Sequence, residues 1–276
     1  MSAATRAIRI LMPEGALSAK DDRLTVTAVS VLACILQDVL HEGLGHGVTA
    51  WLSGARRVTM STVALQSDID TPWIAANGTL VNLFFAGIFW LLLLKPRRYK
   101  STTFYFLVLA MAGNLFTGTG YFFFSGVTNF GDWAAVIRGL QPHWIWRLGL
   151  TLLGVASYYA SMLVVANKLK QFHAKGESSH RLRRLSWTPY FTDGILAGVA
   201  GVFNPAGLFY VIASALPSTL GANAGLLSLP SMMRKWRVNA EDEVAPIRRS
   251  IAWITAGAIA GLLFIFELGR GITWSR

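Results

Sequence analysis

The chain has 276 residues, 53% of them hydrophobic and only 14% charged, against about 25% charged in ordinary soluble domains. With a mean hydropathy of +0.46, this composition excludes a conventional soluble globular domain and points to a protein built for lipid. The formal charge of +11 does not imply nucleic acid, because Lys and Arg fall between apolar segments, the pattern of positive-inside loops and anionic-lipid contact. No nucleic-acid partner is expected. The single cysteine, Cys34, rules out an intramolecular disulfide and a cysteine-based zinc ribbon.

Residues 1–23 are polar and mildly basic and contain no apolar core followed by a small-residue cleavage site, so no removable signal peptide is expected. A first apolar span runs from Leu24 to Leu52. The β-branched stretch from Val58 to Leu65 then suggests a short hairpin or edge strand. A second span, Trp73 to Leu94, is closed by Lys95-Pro96-Arg97-Arg98, and a third covers Thr102 to Gly126. A short amphipathic stretch from Gly131 to Arg138 precedes a fourth span, opened by Pro142 and His143 and ending near Asn167. Residues 168–188 read as a basic polar loop. The apolar region from Phe191 to Met233 is too long for one crossing of about 20 residues. Asn204-Pro205 and Pro217 interrupt it, which predicts a bent helix plus a re-entrant or second crossing. A polar loop from Arg234 to Arg249 leads to a last span, Ile251 to Leu268.

The expected fold is therefore all-α: one polytopic membrane domain with six transmembrane helices, or seven if the long region crosses twice. Residues 24–140 would form the core of the site, and 141–276 would add further helices. The expected setting is the lipid bilayer of a bacterial inner or plasma membrane. An inside N-terminus puts Arg6, Arg9, Lys20, Arg23, Lys95, Arg97, Arg98, Lys100, Lys168, Lys170, Lys175, Arg181, Arg183 and Arg184 on one side. Only Arg56, Arg57, Arg138 and Arg147 fall on the other. The basic loop at Arg234 to Arg249 joins the first group only if the fifth element returns like a hairpin.

The residues that carry chemistry lie in the first span, at Asp38-Val39-Leu40-His41-Glu42-Gly43-Leu44-Gly45-His46. Ionisable groups held in hydrocarbon are costly and are by default functional and paired. Two imidazoles and a carboxylate suit zinc, with a neighbouring Glu as general base on bound water. The usual zinc helix is His-Glu-x-x-His, whose histidines share a face; here the second comes one residue late. Five residues turn a regular α-helix by about 500°, leaving His41 and His46 roughly 140° apart. A π-bulge absorbs one residue and would bring them together, and Gly43 and Gly45 ease such a distortion. The six-residue form is similar to the zinc hexapeptide of the dipeptidyl-peptidase III family. On an undistorted helix, Asp38, Glu42 and His46 would instead share a face and could form another metal site or a proton relay. A plain polar cluster that fixes helix packing is the third reading.

Zinc needs a third protein ligand beside two histidines and a water. Asp132 is the candidate, although an Asp at that position also suits a helix N-terminus as a cap. Asn82 and Asn114 lie within apolar spans. They could hydrogen-bond across helices, or bind a substrate backbone or an oxyanion. His143, His173 and His180 are expected to be solvated, Glu267 to reach the interface, and Tyr121-Phe122-Phe123-Phe124 to face lipid or the interface. The helix break at Asn204-Pro205-Ala206-Gly207 could line a cavity.

Together these residues resemble the site-2 protease family of intramembrane zinc metalloproteases. His41-Glu42 with His46 looks like that family's zinc helix. Asn77-Gly78-Thr79-Leu80-Val81-Asn82 looks like its Gly-Pro-x-x-Asn element, with Thr79 in place of the proline. Asn114 followed by Gly131-Asp132 looks like its later Asn and Asp-Gly element, with Trp133 in place of the glycine. The resemblance covers about residues 30–140. It implies zinc on His41, His46 and Asp132, water activation by Glu42, and membrane-protein or peptide substrates. The competing expectation is a non-enzymatic transporter with Asp38, Glu42 and His46 along a polar path.

Overall fold

A computed structural model describes residues 20–95, 98–172, 180–205, 207, 209, 211–212, 216–234, 236 and 244–276. The expected features at Arg6, Arg9, Pro96, Arg97, His173, Lys175 and Ala206 lie outside the described residues. The first helix, α1, spans Arg23–Leu52. It begins as a regular α-helix over Arg23–Asp38, widens to a π-helix over Val39–Gly47 and returns to α over Val48–Leu52. Its start is fixed by Asp22, whose carboxylate accepts from the backbone N–H of Thr25 at 2.9 Å. That bond, from outside the membrane-crossing stretch, lowers the Asp22 pKa.

Strands β1 (Arg57–Met60) and β2 (Leu65–Ser67) follow as an antiparallel hairpin. Helix α2 (Pro72–Leu92) carries Pro72 in its first turn, and the Thr71 hydroxyl accepts from Ile74 N. Helix α3 (Ser101–Thr128), the short α4 (Asp132–Val136) and α5 (His143–Leu169) come next. Then come α6 (His180–Val202), α7 (Leu216–Asn223), α8 (Gly225–Met233) and α9 (Ile251–Leu263), which a π-turn extends to Leu268. Strand β3 (Ile272–Ser275) closes the chain.

Five of these helices are long and apolar enough to cross a membrane: Arg23–Leu52, Pro72–Leu92, Ser101–Thr128, His143–Phe172 and Ile251–Leu268. All five coincide with expected spans to within a few residues. The all-α expectation needs one correction. The predicted hairpin forms, and β3 adds to it in the order β2-β1-β3, with Val58 paired to both Ser67 and Trp274. The described residues of the expected 168–188 loop are helical: α5 runs through Leu169, a 3-10 turn covers Lys170–Phe172, and α6 is helical from His180.

Helix α6 starts beside the beginning of α1, where Arg181 pairs with Asp21, and ends against α9, where Ala200 packs with Phe264 and Leu268. Helices α7 and α8 return along it. Leu226 O accepts from Ser186 and Leu227 O from Trp187, and Trp236 lies beneath Lys170. Among the described residues, α8 thus lies back along the first turns of α6. The main core lies between α1, α3, α5, α6 and α8, around Tyr105, Phe116, Phe172 and Leu229.

At the basic end, a buried clasp joins three segments. The Arg181 guanidinium donates to both Asp21 oxygens, at 2.9 and 3.1 Å, and to the carbonyls of Val244 and Ala245. Asp21 also accepts from Ile247 N at 2.8 Å. Removing one partner of such a pair strands the other charge in a dry site. Arg181→Met is expected to destabilise the fold by about 3 kcal/mol, measured by unfolding in detergent. A variant as stable as wild type would show that the clasp holds nothing together.

Candidate metal centre

The π-helix is the feature that builds the site. The N–H of Val48 bonds to the carbonyl of Gly43, an i→i−5 step, and this step stacks residues five apart. His41 and His46 thus meet edge to face, with ring centroids 4.7 Å apart at 88° and Nε2 atoms 3.1 Å apart. The π-helical step thus brings His41, rather than Asp38, into contact with His46.

Two glycines let the second helix approach. A Cβ on Gly45 would lie 2.5 Å from the Cα of Gly78, and one on Gly78 would overlap the His46 imidazole and lie 2.8 Å from Cε1 of His41. Gly45 thus serves close helix contact as well as helix distortion. On the opposite side β1 covers the motif, with Met60 Sδ 3.2 Å from where a Gly43 Cβ would stand.

Each imidazole is held by its other nitrogen. His46 Nδ1 faces the carbonyl of Ile74 at 2.7 Å. His41 Nδ1 faces Asn82 Oδ1 at 2.6 Å. A carbonyl only accepts, so Nδ1 of His46 carries a hydrogen. For His41 the same follows from a chain of amides. Asn114 Nδ2 donates to Ala110 O at 2.8 Å, leaving its Oδ1 to accept from Asn82 Nδ2 at 2.7 Å. Asn82 Nδ2 also faces Gln37 O at 3.3 Å, which turns Asn82 Oδ1 to His41. In the neutral rings, both Nε2 atoms therefore present lone pairs to the same point.

The third group at that point is Asp132. Its Oδ2 lies 3.1 Å from His41 Nε2 and 3.3 Å from His46 Nε2. Gly131, at φ +82°, turns the chain into α4 and holds its N-cap position, so Asp132 enters as the first helical residue, a first-turn carboxylate rather than the cap. Burial alone would raise its pKa. The charge a proton gives His46, with hydrogen bonds from His46 and His41, outweighs burial and holds the carboxyl well below its usual range. Either protons or a cation must sit among these three atoms, since two lone pairs and an anionic oxygen repel one another when bare. His41, His46 and Asp132 could hold a metal ion. Comparison of the chain with protein-family models, curated proteins and solved structures finds no match.

Glu42 is not part of the three-ligand group. It is buried and lines, with His41, a cavity of about 30 Å³, room enough for water. Asn82 and Asn114 are fully buried behind His41. Their amide groups bond within the protein, Asn82 Nδ2 bridging to Asn114 Oδ1 across α2 and α3. Tyr121 is also placed differently from expectation. It turns inward and stacks on His41, with centroids 4.9 Å apart at 24°, while its neighbour Phe123 is exposed. Sequence reasoning missed Asp193 as well. This buried carboxylate on α6 accepts from Asn223 Nδ2 at 2.7 Å, and an Asp within an apolar stretch was the signal. Cys34 is a buried packing residue, Glu267 and His180 are exposed, and His143 meets Asn129 at 2.9 Å.

Loss of the amide that orients His41, in Asn82→Ala, is expected to lower metal affinity about 10–100-fold, read by competition with a chelating dye. Unchanged affinity would mean that His41 needs no such support. Metal affinity is also expected to fall as pH drops, because protons then occupy both Nε2 atoms; a pH-independent affinity would place the metal elsewhere.

Proposed function

We propose that the chain is an integral, multi-pass membrane zinc metallopeptidase of the site-2 protease type, hydrolysing peptide bonds of membrane-associated substrates. The observation that carries this reading is the convergence of two Nε2 lone pairs and one carboxylate oxygen, with both Nδ1 hydrogens engaged elsewhere. Two nitrogens and one oxygen are a ligand set that suits zinc and leaves a fourth position open, as hydrolytic sites require. When bound, zinc supplies a Lewis acid and lowers the pKa of a bound water to about 7.

The roles of the chain's own residues follow from their placement. His41, His46 and Asp132 would hold the ion. Asn82, Asn114 and the Ile74 carbonyl fix the two rings. Glu42 shares a cavity with His41, and there it takes a proton from water and passes it to the leaving amine. Tyr121 closes one face of His41 and excludes solvent from it. The basic residues at the Asp21 end set that end inside by the positive-inside rule, which places the sheet and α4 on the far side.

Glu42→Gln keeps the shape of the side chain and removes its basicity. Purified Glu42→Gln protein in proteoliposomes is expected to retain near-stoichiometric zinc and to lose cleavage of single-span peptides by at least about 100-fold, read by mass spectrometry. Cleavage at the wild-type rate would remove Glu42 from the mechanism. Solute flux that persists after zinc is stripped would favour the transporter instead.

A further inference from the structure

Helices α3, α5 and α7 enclose a groove of about 420 Å³, far larger than the cavity beside His41. Phe123 and Val127 of α3, Val155 and Tyr159 of α5, and Pro217 and Gly221 of α7 line it. Phe123, Val127, Val155 and Tyr159 are 44%, 49%, 54% and 59% exposed, so the groove opens outward between two membrane-crossing helices. Two hydroxyls on its walls are already engaged. Tyr158 donates to Ala222 O and accepts from Gly225 N, and Thr128 donates to Phe124 O. What the groove presents is mainly hydrocarbon.

A polar pocket of about 640 Å³ lies at the end of the groove, where α3 finishes. The two adjoin: Thr128 of the groove is followed by Asn129 of the pocket, and the rings of Phe124 and Phe130 meet with centroids 6.4 Å apart. Arg138, Gln141 and His143 line the pocket, and among the described residues no carboxylate does. Arg138 has a loose contact with Asp70, at 3.7 Å between side chains that are each 73% exposed. Such a surface pair is worth little, and the guanidinium is open to a stronger partner.

We infer that groove and pocket together hold one anionic glycerophospholipid, with an acyl chain in the groove and the phosphate at Arg138. The length of the groove selects the occupant. From Gly120 to Thr128, α3 rises about 12 Å, close to one leaflet of a hydrocarbon core about 30 Å thick. A partner transmembrane helix would need contact along that whole thickness and a channel about 10 Å wide. A single acyl chain needs neither. At the pocket, a guanidinium takes phosphate oxygens in pairs. A basic pocket without a carboxylate prefers an anionic headgroup to one that carries its own ammonium. A lipid seated here lies against Tyr121, which lines the groove and stacks on His41. Its binding nevertheless requires neither metal nor peptide cleavage.

The test is native mass spectrometry of the delipidated full-length protein in detergent, titrated with phosphatidylglycerol and, separately, with phosphatidylcholine. Wild type is expected to retain one phosphatidylglycerol per chain and to prefer it about tenfold over phosphatidylcholine. A Cβ on Gly221 meets nothing within 4 Å, so Gly221→Leu fills the groove without moving its walls and should weaken retention at least about tenfold. Gly87→Leu adds the same side chain at an equally open position of α2, outside the groove, and should bind as wild type. Arg138→Gln should erase the preference between the two headgroups. If Gly221→Leu fails to fold, Val155→Trp fills the groove from α5 in its place. Three results would each overturn the site: equal retention of the two lipids by wild type, wild-type retention by the groove-filling variant, or an unchanged preference in Arg138→Gln. Each would leave only the unspecific lipid that surrounds any membrane protein.

Discussion

The i→i+5 winding of α1 between Val39 and Gly47 is the constraint on which the rest of the site depends. A regular helix is the cheaper backbone for an apolar span, so the wider turn persists only because its surroundings fix it. Gly78 leaves the volume that the two imidazoles occupy, and Gly45 lets α2 approach until backbones touch. The Ile74 carbonyl and Asn82 then hold one nitrogen of each ring. Met60 and Trp274 of the sheet close over Gly43 and Gly47 from the other side. The small sheet is thus part of the site's frame, although most of the fold is helical.

The same logic explains how a third ligand arrives from a distant part of the chain. Helix α3 passes its buried amide Asn114 behind Asn82, runs on to Thr128, and hands over to Gly131. The left-handed turn there starts α4 so that its first side chain reaches the imidazoles. One helix thereby supplies both the support for His41 and the launching point for Asp132. Tyr121, between these two positions, covers the ring of His41. A dry, rigid surround of this kind strengthens every electrostatic interaction within it.

Much of this was legible in the sequence, and the failures have physical causes. Span positions followed from apolar length alone, since a bilayer sets that length. The six-residue spacing of His41 and His46 within glycines foretold the π-turn, because no other local change aligns residues five apart. Strand β3 was invisible: its four residues pair with β1 across more than two hundred positions, and nothing local marks them. Tyr121 was hidden in an aromatic run of mixed fate, in which Phe122 is buried and Phe123 is exposed. The basic stretch after α5 read as a loop because its charges masked the helical period of α6, whose Arg181 serves the Asp21 clasp. Asn82 and Asn114 could be placed in spans by sequence, but only contacts could show which way their amides turn.

Zinc K-edge X-ray absorption on metal-reconstituted, detergent-solubilised protein tests the central claim most directly. The account predicts one zinc per chain with two imidazole nitrogens and an oxygen shell, all at about 2.0–2.2 Å, reduced to one imidazole in His46→Ala. A spectrum without imidazole scattering, or with two imidazoles still present in His46→Ala, would contradict the convergence of His41 and His46 on a single ion.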